Sequence, residues 1–359
     1  MFDIYQPEMI NLRSSTVHEV VVDSRDELSW NIPLSVIASR HLSTMSDQEL
    51  DEDWKLNDLF GTIMVINLPR SKERRVKVIQ ELDQIGTQAY EIFPAIDGRT
   101  DIPSWIWQKF QGNREHYNIK TAKGKEQLNK LHQGEAGCYM SHYTIIKNIK
   151  EAFDEALADF NTAVKEQNEQ AIEEAEKRLR KYSRVLILED DVGFGIITEK
   201  RDVSKYGTGR VLREALSVLP DSWDILYFFC LLREPAKQIS PYLCKIGNSW
   251  CLTAYAINHS MYGPLVDALK KIEDPSVTFV EAVDEEISVI QHKYETYLIN
   301  PSIAFVQSEV SEISGREKHP LWQPQPFFYS LDRLKIGLEK NNQIILSRNS
   351  SLKEKKTSE

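Results

Sequence analysis

The stretch from Arg184 to Gly195, RVLILEDDVGFG, constrains the fold more than any other part of the chain. Val185, Leu186, Ile187 and Leu188 form an unbroken, branched apolar run, as expected of a central strand covered on both faces. The run ends in Glu189, Asp190 and Asp191. Three adjacent carboxylates directly after a buried strand repel one another unless a cation or a water-filled cleft compensates. Ligands of open α/β sheets sit at the carboxyl ends of strands, where hard divalent cations are held by one or two carboxylates together with substrate phosphates. The stretch therefore reads as a metal and nucleotide site, against the plainer alternative of a strand followed by a solvated acidic turn.

Further strands and helices alternate around it. Thr62 to Ile66 reads as a strand. The helix after it carries Val78, Leu82 and Ile85 on one face and stops at Gly86. Arg70, Arg74 and Arg75 fall in the loop and first helical turn, where cations oppose the helix dipole; they are either placed for an anion or a solvated basic helix start. Tyr90 to Ile96 reads as a second strand, closed by the turn signal Asp97-Gly98. Trp105, Trp107, Phe110 and Tyr117 lie in an irregular segment with no assigned element, a candidate lid or acceptor-side loop. In the helix entered at Gly134 to Ile149, Glu135, Cys138 and His142 share one face; a histidine there is either a satisfied core residue or part of a pocket. Residues 148–182 read as a helical hairpin broken near Glu166 to Gln170. Later come a helix over Val211 to Leu219, strands at Trp223 to Phe229 and Trp250 to Ile257, helices over Met261 to Lys271 and Val280 to Ile290, and a last strand at Thr296 to Ile299. The alternation predicts a mainly parallel sheet with helices on both faces.

Residues 1–60 are less patterned and read as an accessory region. They contain a possible strand at Val20 to Val22 and a capping box at Ser46 and Glu49 before a helix. The polar tail from Ser347 has the composition of disorder. A chain with 44 Lys plus Arg against 54 Asp plus Glu, net charge −10, is not built as a nucleic-acid binder. Cys138, Cys230, Cys244 and Cys251 show no CxxC pair, which argues against a zinc site or a disulfide scaffold and for reduced, buried thiols. No basic start precedes an apolar core at the N-terminus, and no apolar run approaches the ~20 residues of a membrane span, so the expectation is a cytoplasmic protein, with peripheral association at the inner membrane left open.

Eight stretches together resemble glycosyltransferase family 25, which includes bacterial lipooligosaccharide galactosyltransferases and animal collagen galactosyltransferases. They are VINLPRSKERR (65–75), FPAIDGR (93–99), GEAGCYMSH (134–142), LILEDDV (186–192), WDILYF (223–228), TAYAINHSMYGPLVDAL (253–269), AVDEEI (282–287) and SEVSEIS (308–314), in the family's order. The resemblance implies a GT-A-type nucleotide-sugar-binding α/β fold, with the helical hairpin at about 150–182 as an insertion in a catalytic domain of residues 61–320, followed by a C-terminal extension over 321–359. It implies an inverting transferase that moves a hexose, typically galactose from UDP-galactose, onto a saccharide, lipid-linked or protein-linked acceptor such as lipooligosaccharide, with a divalent metal, Mn2+ or Mg2+. Carried over, Asn67, Arg70 and Arg74 lie at the nucleotide edge, Glu135, Ser141 and His142 line the donor pocket, Glu189 and Asp191 hold the metal, and Asp190 completes the nucleotide-sugar motif. Asp284 matches an acidic acceptor-side position and becomes the candidate base, with Glu285 and Glu286 expected to be solvated and Glu312 as the next carboxylate to consider. Three departures stand out: the motif reads Glu-Asp-Asp, the late SDI reads Ser311-Glu312-Ile313, and the hairpin is long. The rival readings are a nucleotide-sugar hydrolase and an inactive binding or scaffolding protein.

Overall fold

The computed structural model describes residues 30–110, 120–197 and 202–307. The expected strand at 20–22, Tyr117, the motif at 308–314 with Glu312, and the polar tail lie outside the described residues. In chain order the elements are α1 (Leu34–Leu42), α2 (Asp47–Glu52), α3 (Leu56–Leu59), β1 (Thr62–Asn67), α4 (Lys72–Gln84), β2 (Glu91–Pro94), α5 (Ser104–Trp107), α6 (Ala122–Glu166), α7 (Glu169–Ser183) and β3 (Arg184–Glu189). They continue with β4 (Val192–Phe194), β5 (Ile196–Ile197), β6 (Val203–Ser204), α8 (Thr208–Ser217), β7 (Ile225–Leu232), β8 (Lys237–Ser240), β9 (Leu243–Lys245), β10 (Ser249–Asn258), α9 (Tyr262–Leu269), α10 (Val283–Gln291), β11 (Thr296–Ile299) and β12 (Ala304–Val306).

Eight strands form one sheet in the order β2-β1-β3-β10-β7-β11-β9-β8. β1 lies parallel to both β2 and β3, and β7 parallel to β11. β10 is antiparallel to β3 and β7, and β9 is antiparallel to β11 and β8. The sheet is therefore mixed, which corrects the expectation of a mainly parallel one. The chain leaves β7 through the β8–β9 hairpin, with no crossover helix to reverse its direction, so β10 returns antiparallel. These hairpin strands are short, β8 is partly exposed throughout while β9 buries Leu243 and Cys244, and they lack the long apolar run that marks the central strands.

The acidic strand is buried on both faces, and its alternation divides the core. Val185 and Ile187 point into a cluster with Ile145, Ile146, Ile149 and Phe153 of α6, Tyr262 of α9 and Ile287 of α10. Leu186 and Leu188 point the other way, to Leu34, Leu50, Trp54 and Phe60 from the N-terminal helices, Val78 and Leu82 of α4, and Leu212 and Leu216 of α8. The result is a sheet with helices on each face. Residues 34–60 thus share a core with the sheet, and the capping box at α2 is formed as expected, Ser46 accepting from Glu49 N while Glu49 receives the Ser46 amide.

The helical hairpin is present, with its turn at Gln167 and Asn168, the latter capping α7. Its first arm does not begin near residue 148: α6 is a single helix of 45 residues, about 68 Å long at 1.5 Å per residue. Phe153, Ala156 and Phe160 on this arm and Ala175 and Leu179 on the returning one are buried in the core, so only the outermost turns project. Among the described residues no helix is long and apolar enough to cross a membrane.

Candidate functional site

Strand parity decides where the acidic turn points. Glu189 follows Val185 and Ile187 on the same face of β3, so its carboxylate emerges toward α6, where Cys138 and His142 stand one turn apart. The Cys138 thiol donates to Glu189 Oε1 at 3.8 Å, and His142 Nε2 lies 3.3 Å from the same oxygen. His142 is fully buried, and its Nδ1 meets the Tyr255 hydroxyl at 2.9 Å. Burial raises the Tyr255 pKa well above its ordinary value, so the hydroxyl keeps its proton. Donating it to Nδ1 leaves Nε2–H to face Glu189, which fixes the tautomer by its surroundings.

Asp190 and Asp191 turn the opposite way. Arg74, from the first turn of α4, places Nη2 2.7 Å from Asp190 and 2.8 Å from Asp191, and Asn67 at the end of β1 donates to Asp190 at 2.7 Å. Burial pushes the Asp190 carboxyl up to about 7, opposed by Arg74 and Asn67 and reinforced by the charges of Asp191 and Glu189. One guanidinium thus holds two carboxylates of the turn, which explains how cations at a helix start can be stabilising there despite the dipole.

The wall opposite β3 is the loop after β2. Gly137 of α6 lets it in: a Cβ there would stand 2.6 Å from the Ile96 carbonyl oxygen. Ser141 then locks the contact, accepting from Ile96 N at 2.9 Å and donating to Gly137 O at 2.7 Å. Arg70 pairs with Asp97 on the same loop. A single cleft results, at the carboxyl ends of β1 and β3, lined by Arg70, Arg74, Arg99, Ser141, His142, Cys138 and the turn Glu189, Asp190 and Asp191.

Of the residues expected from sequence, Arg70, Arg74, Ser141, His142, Glu189, Asp190 and Asp191 come together in this cleft. Asn67 stands behind it, holding Asp190. Glu135, half-buried on α6, is not among the lining residues. Asp284 also lies outside the lining, in the first turn of α10, where Oδ2 accepts from Cys251 N at 3.1 Å and Oδ1 from Glu285 N at 3.0 Å. Its pKa is raised, chiefly by burial, and the charges of Glu285 and Glu189 add to this, so it lies within electrostatic reach of the acidic turn. Glu286 is not solvated as expected: it is buried and pairs with Lys271 at 2.6 Å, because the helix face it occupies turns to α9 and the adjoining Lys271. Glu285 pairs with Arg233 at 2.8 Å.

Sequence reasoning missed the bulge that receives Asp284. The β7–β10 register shifts between Trp250 and Ala254, and Cys251 takes a φ of 76°, a left-handed conformation costly for a side chain other than glycine. Ala254 pairs with Leu188, so the bulge lies just beyond the end of β3, next to Glu189. The run Trp250-Cys251-Leu252-Thr253 breaks apolar alternation, the one sign of it available in the sequence. Arg99 and Tyr255 were likewise not singled out, although Asp97-Gly98 marked the turn beside the first.

A divalent cation fits this cleft by its donor set: Glu189 offers a carboxylate oxygen beside a histidine nitrogen and a cysteine sulfur, with the three ligand atoms within 4.8 Å of one another. Asp191, the second expected ligand, is engaged with Arg74.

Comparison with known proteins agrees with the motifs. The model of glycosyltransferase family 25 (LPS biosynthesis protein) matches residues 60–287. A glycosyltransferase 25 family member of Anopheles gambiae is 28% identical over 232 residues, 64% of this chain and 31% of that protein. Procollagen galactosyltransferase 2 of Mus musculus is 23% identical over 244 residues, 66% of this chain and 31% of its own. A third relative from the same animal, inactive glycosyltransferase 25 family member 3, is 24% identical over 247 residues, 66% of this chain and 33% of its own. The chain spans about a third of the length of these relatives. With a sheet flanked by helices, a cleft at the strand ends and the family model matching well over half of its length, the chain belongs to glycosyltransferase family 25.

Proposed function

We propose that the cleft binds a UDP-hexose, UDP-galactose in the first instance, and that the protein transfers the hexose with inversion onto a saccharide or glycoconjugate hydroxyl. The observation that carries the reading is the convergence of Arg70, Arg74 and Arg99 with the acidic turn in one cleft. Departure of a nucleoside diphosphate requires its developing charge to be offset, and arginines on one wall supply part of that electrostatically. A divalent cation, when bound, would supply the rest; Glu189 and Asp191 are the carboxylates offered to it, the first beside a thiol and an imidazole and the second beside Arg74. Arg74 keeps Asp190 and Asp191 ordered at the cleft floor, and Ser141 keeps the loop of Asp97 and Arg99 against α6.

In the transfer step the acceptor oxygen forms a bond to the anomeric carbon as the bond to the phosphate oxygen breaks. UDP leaves with the electron pair, and the acceptor proton passes to a carboxylate. Asp284 is our candidate for that carboxylate. Burial raises its proton affinity above that of an ordinary aspartate, the charge of Glu189 adds to this, and Asp284 does not line the donor cleft.

The test is a screen of nucleotide sugars with manganese and candidate saccharide acceptors, following UDP release. Acceptor-dependent release supports transfer. Release that is indifferent to acceptor makes the protein a hydrolase. Absence of both release and UDP binding supports an inactive binding protein, a reading favoured by the hold of Arg74 on two carboxylates of the turn and by a relative named inactive.

A further inference from the structure

The donor cleft occupies one part of the sheet edge, and the next part carries side chains that donor binding does not use. β10 runs antiparallel to both β3 and β7, so the carboxyl end of β7 and the start of β10 share an edge with the acidic turn, on the side away from β1 and β2. Ligands of open α/β sheets gather on this edge. Arg233 follows directly on β7, Trp250 stands in β10 opposite Leu231, and α10 brings Asp284 and Glu285 to the same place through the bond of Asp284 to the Cys251 amide. Arg233 is held in one orientation. Its guanidinium lies over the Trp250 indole, 4.0 Å from the ring centroid, its Nη1 donates to Glu285 Oε2 at 2.8 Å, and its amide donates to Asn248 O at 3.0 Å. An aromatic ring thus sets the plane of the guanidinium and a carboxylate sets its direction within that plane. The two charged side chains nevertheless remain 38% and 31% exposed, a fixed fork of donors and a carboxylate both open to an outside partner. On the same edge Trp250 Nε1 and Asn248 Oδ1 are covered yet find no hydrogen-bond partner among the described residues, as where a water or a ligand group takes part in the bonding.

We propose that Arg233 and Glu285 form an acceptor subsite that reads two adjacent hydroxyls of a neutral saccharide, with Trp250 as the positioning residue that keeps the guanidinium flat. A guanidinium offers only donors and a carboxylate only acceptors, while every hydroxyl does both, so the pair meets two neighbouring hydroxyls with complementary groups. The two charges cancel, which suits a neutral polyol better than an anionic or cationic acceptor. Asp284 precedes Glu285 in the chain, so a ring held by this pair has its remaining hydroxyls close to the candidate base. An epimer that turns one of the two hydroxyls away leaves a charged group unmet, the kind of mismatch that separates substrates most sharply. The inference rests on the transferase reading and deepens it: these residues select the acceptor, whereas the arginines of the cleft serve the donor.

The experiment measures, on the full-length protein with UDP and manganese, binding of the methyl glycosides of galactose, glucose and mannose by saturation-transfer NMR, with UDP affinity followed separately by calorimetry. The wild type is expected to bind at least one of the three and to prefer it over its epimers. Arg233→Lys keeps the charge and loses the planar fork. It should weaken the preferred glycoside by about 10- to 100-fold and level the preference, at unchanged UDP affinity and melting temperature. Glu285→Gln should act in the same direction. Trp250→Leu should act only through Arg233, so adding it to Arg233→Lys should weaken binding no further, a non-additivity that general loosening of the fold would not produce. Where a glycoside is turned over, Arg233→Lys should raise its KM much more than it lowers kcat, the opposite of what is expected for Asp284→Asn. Glycoside binding undiminished in Arg233→Lys, or a wild type that binds UDP but none of the three glycosides, overturns the subsite and leaves the donor site standing. Arg233-dependent glycoside binding without UDP binding does the reverse: the carbohydrate site stands and the transferase reading falls.

Discussion

Arg74 reaches two buried carboxylates with one nitrogen, and Arg70 reaches Asp97 on a loop from a more exposed position, so the two arginines should fail differently when removed. Arg74→Ala leaves Asp190 and Asp191 facing each other without their guanidinium, a loss on the order of 3–5 kcal/mol for a broken buried pair. Arg70 is more than a third exposed, and its pair contributes little to stability. We therefore expect Arg70→Ala to weaken UDP binding by about tenfold at an unchanged melting temperature, and Arg74→Ala to lower both; calorimetry with a thermal melt checks this, and unchanged UDP affinity in Arg70→Ala would remove it from the nucleotide edge. A second residue acts far from the cleft. His259 stacks on Phe153 at 4.9 Å and meets Trp30 edge-on, and burial, aided by Arg184, depresses its pKa from 6.5 to about 4. Between those values the unfolded chain binds a proton that the folded chain refuses. The neutral ring's stability is therefore complete above pH 6.5 and lost as pH falls toward 4, by about 3 kcal/mol for a shift of this size. Urea midpoints across that window should fall less steeply in His259→Gln than in the wild type; equal slopes would refute the assignment. At this scale the sequence revealed residue types but not directions. Asn67 and Arg74 were recognisable as a pair of polar residues after a strand, yet that one supports Asp190 from behind while the other spans two carboxylates follows only from the parity of β3 and the start of α4.

Elements explain why Asp284 is both plausible as a base and structurally committed. Helix α10 presents it to the bulge of β10, where it accepts the Cys251 amide and so helps hold a left-handed residue. Asp284→Asn keeps one acceptor oxygen and loses the charge. If Asp284 is the base, the rate of transfer should fall by roughly 10² to 10⁴ while UDP affinity and melting temperature change little. A mutant that melts early and transfers at a proportionate rate would make Asp284 a brace for the bulge, with another carboxylate as base. The strands that the sequence predicted best, β1, β3, β7, β10 and β11, are those dominated by apolar residues, since burial on both faces leaves little room for polar alternation. The β8–β9 hairpin was invisible for the opposite reason, and with it the reversal of β10. The bulge escaped because it is a departure from periodicity, which pattern reading passes over.

The whole molecule turns on α6, which supplies one wall of the cleft, a face of the core and the outgoing arm of the hairpin. From sequence the hairpin reads as an insertion in the catalytic domain, and the burial of Phe153, Ala156, Phe160, Ala175 and Leu179 in the core leaves only its tip free to be exchanged. Between residues 161 and 170 only Ala163 is buried, so replacing Val164 to Gln170 by a short Gly/Ser turn should leave the melting temperature and UDP binding nearly unchanged. Phe153→Ala, by contrast, should cost about 3–5 kcal/mol; a tip replacement that abolished soluble expression would show that the outer turns also carry the fold. The two-sided sheet and the acidic cleft were legible because burial and charge leave marks in sequence, whereas strand order, set by long-range pairing, leaves none. An unbroken helix also keeps phase. One residue inserted between Ile146 and Phe153 would rotate everything beyond it by about 100°, so the cleft wall and the arm could not both stay in register with their neighbours. Length can vary without that penalty only where phase is reset, at the turn of Gln167 and Asn168, and it is there that natural relatives and engineered fusions should be able to grow or shrink the protein while leaving the cleft as it is.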